Sequence, residues 1–126
     1  LALARSTDAV LDEMRRLADA LPHPPVSVIV FGSFARREAD TDSDIDVVVV
    51  RPSDVGEDNE LWSASLEAWR TDVRRLAGNP VEILEVSEDE ASAKLAGRGQ
   101  VWADIRRDGR VVYGRTIDEL KAARVG

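Results

Sequence analysis

The chain has 126 residues, of which 44% are hydrophobic and 33% charged, so we expect a single folded domain over residues 1–126. Its formal net charge of −7 argues against duplex nucleic acid as the main partner, because proteins that bind it carry a basic face. The absence of cysteine excludes disulfides and thiolate chemistry, and no apolar run is long enough for a signal peptide or a membrane span. We therefore expect a cytoplasmic protein without membrane contact. A start at Leu1 rather than Met is also what a piece of a longer protein would show.

The first two predicted elements are a helix and a strand. Apolar residues recur at helical spacing from Ala9 to Leu21, and Thr7 or Asp8 is placed to cap the start of this helix. Pro22 ends the run and opens a proline-rich connector. The segment from Val26 to Phe31 is short, apolar and rich in β-branched residues, which predicts a buried strand.

A glycine–serine turn and a second strand follow. The turn is Gly32-Ser33, and residues 34–37 are suited to one or two turns of helix. Residues 38–43 are polar and predict a loop. The segment from Asp44 to Arg51 begins with alternating acidic and apolar residues and continues into four valines, which predicts a strand buried on both faces.

The second half of the chain continues the alternation of helices and strands. Residues 61–77 carry one continuous apolar stripe, which predicts a long helix with Trp62 and Trp69 in the core. The remaining predicted elements are a strand at 81–86, a helix starting at a Ser87–Glu90 capping box, a short helix at 101–107, an edge strand at 110–113 and a last helix starting at a Thr116–Glu119 capping box. The order α-β-α-β-α-β-α, with more at the end, indicates a mixed α/β (α+β) fold.

The residues suited to chemistry lie between 31 and 46. Gly32 lets the backbone turn sharply and approach a ligand, while the Ser33 hydroxyl and the N–H groups of a following helix can receive phosphate oxygens. Because side chains alternate along a strand, Asp44 and Asp46 are expected on one face. Two such carboxylates can hold Mg²⁺, which takes its other ligands from substrate phosphates. If the turn and the acidic pair lie on neighbouring strands, one site would hold both metal and triphosphate, as nucleotidyl transfer requires.

This pattern, Gly32-Ser33, ten residues, then Asp44-x-Asp46, resembles the signature of the DNA polymerase β-like nucleotidyltransferase superfamily. The fuller string GSFARREADTDSDIDVVVV resembles its minimal nucleotidyltransferase branch, and the resemblance extends from Val26 to about Val86. It implies the polymerase β-like fold, a small mixed β-sheet with helices packed on it. It also implies that Gly32 and Ser33 bind the triphosphate of ATP and that Asp44 and Asp46 are catalytic residues that hold Mg²⁺ or Mn²⁺.

Two positions depart from the family pattern. The family's third acid is usually an aspartate that follows a hydrophobic residue on a later strand. The matching place here is Val81-Glu82, so Glu82 is the candidate third catalytic residue and metal ligand. This glutamate is the departure on which the alternative of a catalytically impaired site rests. The second departure is Arg37, which stands where the branch commonly has glycine.

Three further charged or polar residues have side chains of a type found in such sites. Arg36 has two interpretations, either binding the phosphates of the nucleotide or forming an ion pair with Asp42 or Glu38. Glu85 lies three residues from Glu82, which predicts that it faces the opposite side of its strand. The only histidine of the sequence, His23, lies next to prolines and is a poor candidate for a general base.

The resemblance implies transfer of a nucleoside monophosphate, AMP from ATP, to an acceptor hydroxyl with release of pyrophosphate. In many bacterial members of the minimal branch the partner is a helical HEPN protein, and the pair resembles a toxin–antitoxin module. A HEPN-like protein is therefore the expected partner. One alternative is a catalytically impaired module with the same fold that neutralises a partner protein. Another, nucleotide addition to an RNA end, is disfavoured because the sequence has no basic stripe.

Overall fold

A computed structural model of the protein describes residues 6–122. In chain order the elements of this part are α1 (Thr7–Asp19), β1 (Ser27–Phe31), α2 (Gly32–Ala35), β2 (Ile45–Arg51), α3 (Glu60–Ala77), β3 (Val81–Ser87), α4 (Glu88–Leu95), α5 (Gln100–Asp108), β4 (Arg110–Gly114) and α6 (Ile117–Ala122). The predicted order of helices and strands is confirmed. None of the described helices is both long enough and apolar enough to cross a membrane.

The four strands form one mixed sheet in the order β3-β2-β1-β4. β1 pairs antiparallel with both β2 and β4, whereas β2 pairs parallel with β3. β2 is an inner strand, and its four valines are fully buried, as their sequence predicts. β4 lies at one edge of the sheet, also as predicted. The mixed α/β class is therefore confirmed.

Helices cover both faces of the sheet. The odd-numbered apolar residues of β2 pack in a cluster with α1 and α3, and its even-numbered valines pack in a second cluster with α4, α5 and α6. Trp62 and Trp69 are 2% and 1% exposed, which confirms that they are core residues. The indole N–H of Trp69 donates to the carbonyl oxygen of Met14 at 3.1 Å, so α3 is tied to α1. Replacing either tryptophan with alanine would cost about 3–5 kcal/mol.

The ends of the first helix differ from the sequence prediction. α1 begins at Thr7 rather than Ala9, and its cap is Ser6 rather than Thr7 or Asp8. The Ser6 hydroxyl accepts a hydrogen bond from the backbone N–H of Ala9 at 3.2 Å, which satisfies a free donor of the first turn. The helix also ends at Asp19, before the last apolar residue of the predicted run. Apolar spacing marks the buried face of a helix, but the capping residues decide where it starts.

Two other boundaries matter for the site. The helix predicted to follow Gly32-Ser33 begins at Gly32 itself, so this pair forms the first turn of α2. β2 begins at Ile45, which places Asp44 just before the strand rather than in it. Both predicted capping boxes are present, at Ser87–Glu90 and at Thr116–Glu119.

Candidate active site

Strand pairing brings three of the predicted site residues to one place. Phe31, the residue before Gly32, pairs with Asp46 across the antiparallel β1–β2 ladder. Asp46 in turn pairs with Glu82 across the parallel β2–β3 ladder. Directly paired residues place their side chains on the same face of a sheet. The start of α2, Asp46 and Glu82 therefore follow one another across three adjacent strands.

Gly32 is required at its position for two separate reasons. Its φ of 71° lies in the left-handed region, which side chains other than glycine rarely adopt. In addition, a Cβ atom at this position would lie 2.6 Å from Oδ2 of Asp46, well inside contact distance. The sequence predicted a close approach between Gly32 and a ligand. The structure shows that the glycine also gives the Asp46 carboxylate its space.

The helix that starts at Gly32 is short and firmly anchored. Its residues Phe34 and Ala35 are buried in the core, and Ser33 is half-buried in the first turn. Phe31 occupies the N-cap position of α2, and no side chain caps this helix. Free N–H groups at a helix start are what phosphate oxygens bind. The arrangement is therefore suited to the triphosphate role predicted for Gly32 and Ser33.

Asp46 interacts electrostatically with the other charged residues of the site. Its burial raises the pKa of its carboxyl above the ordinary value, and the nearby negative charges of Asp44 and Glu82 raise it further. The positive charge of Arg36 acts in the opposite direction. The structure thus places all four groups within electrostatic range of one another, although Asp44 lies outside the strand.

The acidic residues fit a divalent cation as part of its coordination shell. Within residues 6–122, no three His, Cys, Asp or Glu side chains are grouped closely enough to hold a metal ion by themselves. The donors around Asp46 are nevertheless all carboxylates, the ligands that Mg²⁺ prefers, and Mg²⁺ commonly uses one or two of them together with phosphates and water. A cation would also relieve the mutual repulsion that raises the pKa of Asp46.

Arg36 has one predicted partner and one that the sequence did not indicate. Its Nε donates to Oε1 of Glu38 at 3.1 Å, so of the two acidic partners considered, Asp42 and Glu38, the structure pairs it with Glu38. Arg36 also approaches Asp108 at the end of α5, with 3.8 Å between Nη1 and Oδ2. The sequence signal there, Asp108-Gly109, indicated only a turn.

The second departure from the family pattern has a physical explanation. Arg37 has a φ of 61°, the left-handed conformation that glycine adopts most easily. A side chain in this conformation costs about 1–2 kcal/mol. Nη2 of Arg37 donates to Oδ1 of Asp8 at 2.9 Å, and Asp8 also pairs with Arg110. These exposed pairs link Arg37 to α1 and α1 to β4, but each contributes little energy.

Glu85 of β3 binds a side chain of α3 and a side chain of β2. Its Oε2 accepts a hydrogen bond from the indole N–H of Trp62 at 3.0 Å and lies 2.6 Å from Nη1 of Arg51. Glu82, by contrast, pairs with Asp46 across the β2–β3 ladder, which agrees with the prediction that the two glutamates face opposite sides of β3. A groove of about 360 Å³ between α3 and β3 reaches both Glu82 and Glu85, and its lining also includes Leu66 and Arg70.

Comparisons with known proteins agree with this geometry. The family model described as a nucleotidyltransferase domain matches residues 9–106. No curated protein matches the chain significantly. Three solved structures with low sequence identity show that the fold is shared.

The first is a toxin–antitoxin crystal structure with AMP-PNP, at 16% identity and a TM-score of 0.52, covering 89% of this chain and 77% of that chain. The second is a tri-AMPylated Shewanella oneidensis HEPN toxin in complex with MNT antitoxin, at 15% identity and a TM-score of 0.51, covering 90% and 76%. The third is the toxin–antitoxin MntA-HepT, at 14% identity and a TM-score of 0.51, covering 91% and 78%.

Proposed function

Since this chain belongs to the nucleotidyltransferase domain family and has the polymerase β-like fold of the minimal members, we propose that it transfers AMP from ATP to a hydroxyl of a partner protein. The observation that carries the proposal is the strand register around Asp46. It brings together the glycine–serine start of α2, which follows the carboxyl end of β1, and two acidic residues at the amino ends of β2 and β3. Phosphate binding and charge neutralisation are both needed at such a site.

Each residue of the site has a role in this proposal. Gly32 and Ser33 bind oxygens of the triphosphate, and Arg36 contributes positive charge beside them. Asp44 and Asp46 hold Mg²⁺ or Mn²⁺, with Glu82 as the third carboxylate. The ion, when bound, neutralises phosphate charge and polarises the α-phosphate.

The transfer itself is a single displacement at phosphorus. The acceptor oxygen forms a bond to the α-phosphorus, and the bond from that phosphorus to the bridging oxygen of pyrophosphate breaks. Glu82, on an edge strand and beside the groove at α3, is the candidate to take the proton of the acceptor hydroxyl.

The proposed acceptor is a HEPN-like partner protein, with this chain as the antitoxin-like half of a two-protein module in the cytoplasm. Support comes from the similar chain in the complex of MNT antitoxin with a tri-AMPylated HEPN toxin. The net charge of −7 also suits association with a basic partner.

The proposal is tested with ATP labelled at different phosphorus atoms. The tagged protein is used to capture its partner from the native host, and the pair is incubated with Mg²⁺ and ATP. We expect label from the α-phosphorus to appear on the partner, whereas label from the γ-phosphorus does not. Entry of γ-label, or no α-label under conditions in which ATP binds, would contradict AMP transfer.

A second candidate function is a catalytically impaired binding module that neutralises its partner by association alone. It is favoured by Glu82, whose side chain is one methylene longer than the family's aspartate, so its carboxylate reaches the same ion only by bending back or by shifting the ion. This candidate predicts a complex of equal affinity with and without ATP, and no label on the partner.

A further inference from the structure

Asp44 is held in place by two hydrogen bonds that bracket it in the chain. Because it lies before β2, the sheet does not position it directly. On one side, the carbonyl oxygen of Ser43 accepts a hydrogen bond from Nδ2 of Asn79 at 2.8 Å. On the other side, the backbone N–H of Ile45 donates to the carbonyl oxygen of Pro80 at 2.8 Å. Both partners come from the connection between α3 and β3.

Asn79 also contacts two residues of the loop that lie further from Asp44 than Ser43 does. Its Nδ2 also lies 3.1 Å from the carbonyl oxygen of Asp40 and 3.4 Å from that of Thr41. Asn79 is 8% exposed, so its amide makes these contacts largely away from water. A hydrogen bond in such surroundings is stronger, and its loss is more costly, than at an open surface.

The position of Asn79 is itself fixed by secondary structure. α3 ends at Ala77, and its C-cap Gly78 has a φ of 79° and donates its N–H to the carbonyl oxygen of Arg74 at 2.8 Å. This left-handed residue turns the chain away from the helix axis. β3 begins at Val81, two residues after Asn79. The Asn79 amide, which contacts the loop of residues 40–43, is therefore held in place by the end of a long helix on one side and the start of a strand on the other.

We propose that Asn79 is a positioning residue for nucleotidyl transfer, which holds the peptide before Asp44 so that this carboxylate is in place when the metal–nucleotide arrives. The inference rests on the proposed function of the site. Asn79 touches no reacting atom and acts through Asp44. Preorganised ligands bind a cation without the cost of ordering the loop, so loss of the amide weakens binding as well as turnover.

The chain offers a matched control in Asn59. Asn59 caps α3, where its Oδ1 accepts a hydrogen bond from the backbone N–H of Trp62 at 3.0 Å. Alanine at either asparagine removes a side-chain hydrogen bond to the backbone. Replacement by aspartate should affect the two positions differently. At position 59 aspartate caps the helix as well as asparagine does, whereas at position 79 it cannot donate to the surrounding carbonyls.

The experiment compares Asn79→Ala and Asn79→Asp with Asn59→Ala and Asn59→Asp. Hydrogen exchange of residues 40–45 and calorimetric binding of ATP with Mg²⁺ are measured below the melting temperature of every variant. Both Asn79 variants should show faster exchange in this loop and about tenfold or greater weakening of Mg²⁺-dependent ATP binding. Both Asn59 variants should match the parent in these two measurements. If Asn79→Ala does not fold, Asn79→Ser, which keeps one donor, should show an intermediate effect.

Unchanged exchange in the Asn79 variants would overturn the inference, and so would faster exchange with unchanged binding of ATP and Mg²⁺. A parent protein that neither binds nor transfers the nucleotide would instead defeat the proposed function, and the positioning role with it. The two failures are distinguishable because the first appears only in the variants and the second already in the parent.

Discussion

Glu82 and Glu85 lie three residues apart on β3, yet their surroundings are opposite. Glu85 contacts Arg51 and the indole of Trp62, so its charge is matched by a cation and a donor. Glu82 lies next to Asp46, whose other close charges are Asp44 and Arg36. One glutamate completes a structural pair, and the other adds to an excess of negative charge. This contrast in charge is what the proposed cation site at Asp44, Asp46 and Glu82 requires.

The energetic consequences of removing charge should therefore differ between the two regions. The side chain of Arg51 is 10% exposed, so loss of Glu85 would leave a nearly buried cation without its carboxylate. Around Asp46, by contrast, loss of one negative charge relieves repulsion in the metal-free protein. Loss of the Glu85 charge should therefore lower the stability of the protein, whereas loss of a charge around Asp46 should lower its activity.

The largest effect is expected for Asp46→Asn. Transfer of AMP should fall about 10²–10³-fold or more, because the carboxylate would no longer hold the cation. The melting temperature of the metal-free protein should be unchanged or higher. Asp54→Asn removes the same charge from an exposed loop and serves as the control, with activity expected to match the parent. A large fall in melting temperature with activity retained would show that Asp46 is structural.

The two glutamates provide the next comparison. Glu82→Gln should lose nearly all transfer with little change in melting temperature. Glu85→Gln should keep transfer and lose about 1–2 kcal/mol of unfolding free energy. We expect the parent to be weakly active with Mg²⁺ and more active with Mn²⁺, which binds most oxygen sites more strongly. Glu82→Asp should keep or raise activity. Equal transfer rates for Glu82→Gln and the parent with both metals would mean that the third ligand lies elsewhere.

The smallest effect concerns pH. The fold raises the pKa of Asp46 above its ordinary 3.8, mainly through burial, so the folded state favours the protonated carboxyl. The stability from this group is fully present below the ordinary pKa and is lost as pH rises through the raised one. Asp46→Asn resembles the protonated form and lacks this loss. Metal-free melting from about pH 4 to about pH 7 should show the variant gaining on the parent as pH rises. A constant difference across this range would contradict the raised pKa.

Much of the fold could be predicted from the sequence because its signals are local. The four valines of β2, the apolar stripe of α3 and the capping boxes each specify an element by themselves. Helix ends were less predictable, since Ser6 rather than Thr7 or Asp8 caps α1. Several side chains near one boundary could serve as the cap, and the choice among them depends on tertiary packing.

The site was predictable where residues are close in sequence and not where they meet through the fold. The spacing of Gly32, Ser33, Asp44 and Asp46 carried the family resemblance. The contacts of Arg36 with Asp108 and of Asn79 with Ser43 join residues far apart in the chain, and no local pattern reports them. Metal ligation by Asp44, Asp46 and Glu82 stays a prediction.

Whether the protein binds ATP through a cation is measured by calorimetric titration with ATP, in one series with Mg²⁺ and a second in excess chelator. An acidic site repels a triphosphate unless a cation offsets its charge. We expect binding in Mg²⁺, little or none in chelator, and loss of the Mg²⁺-dependent binding in Asp46→Asn. Equally tight binding of ATP in excess chelator would show that the acidic residues do not act through a cation.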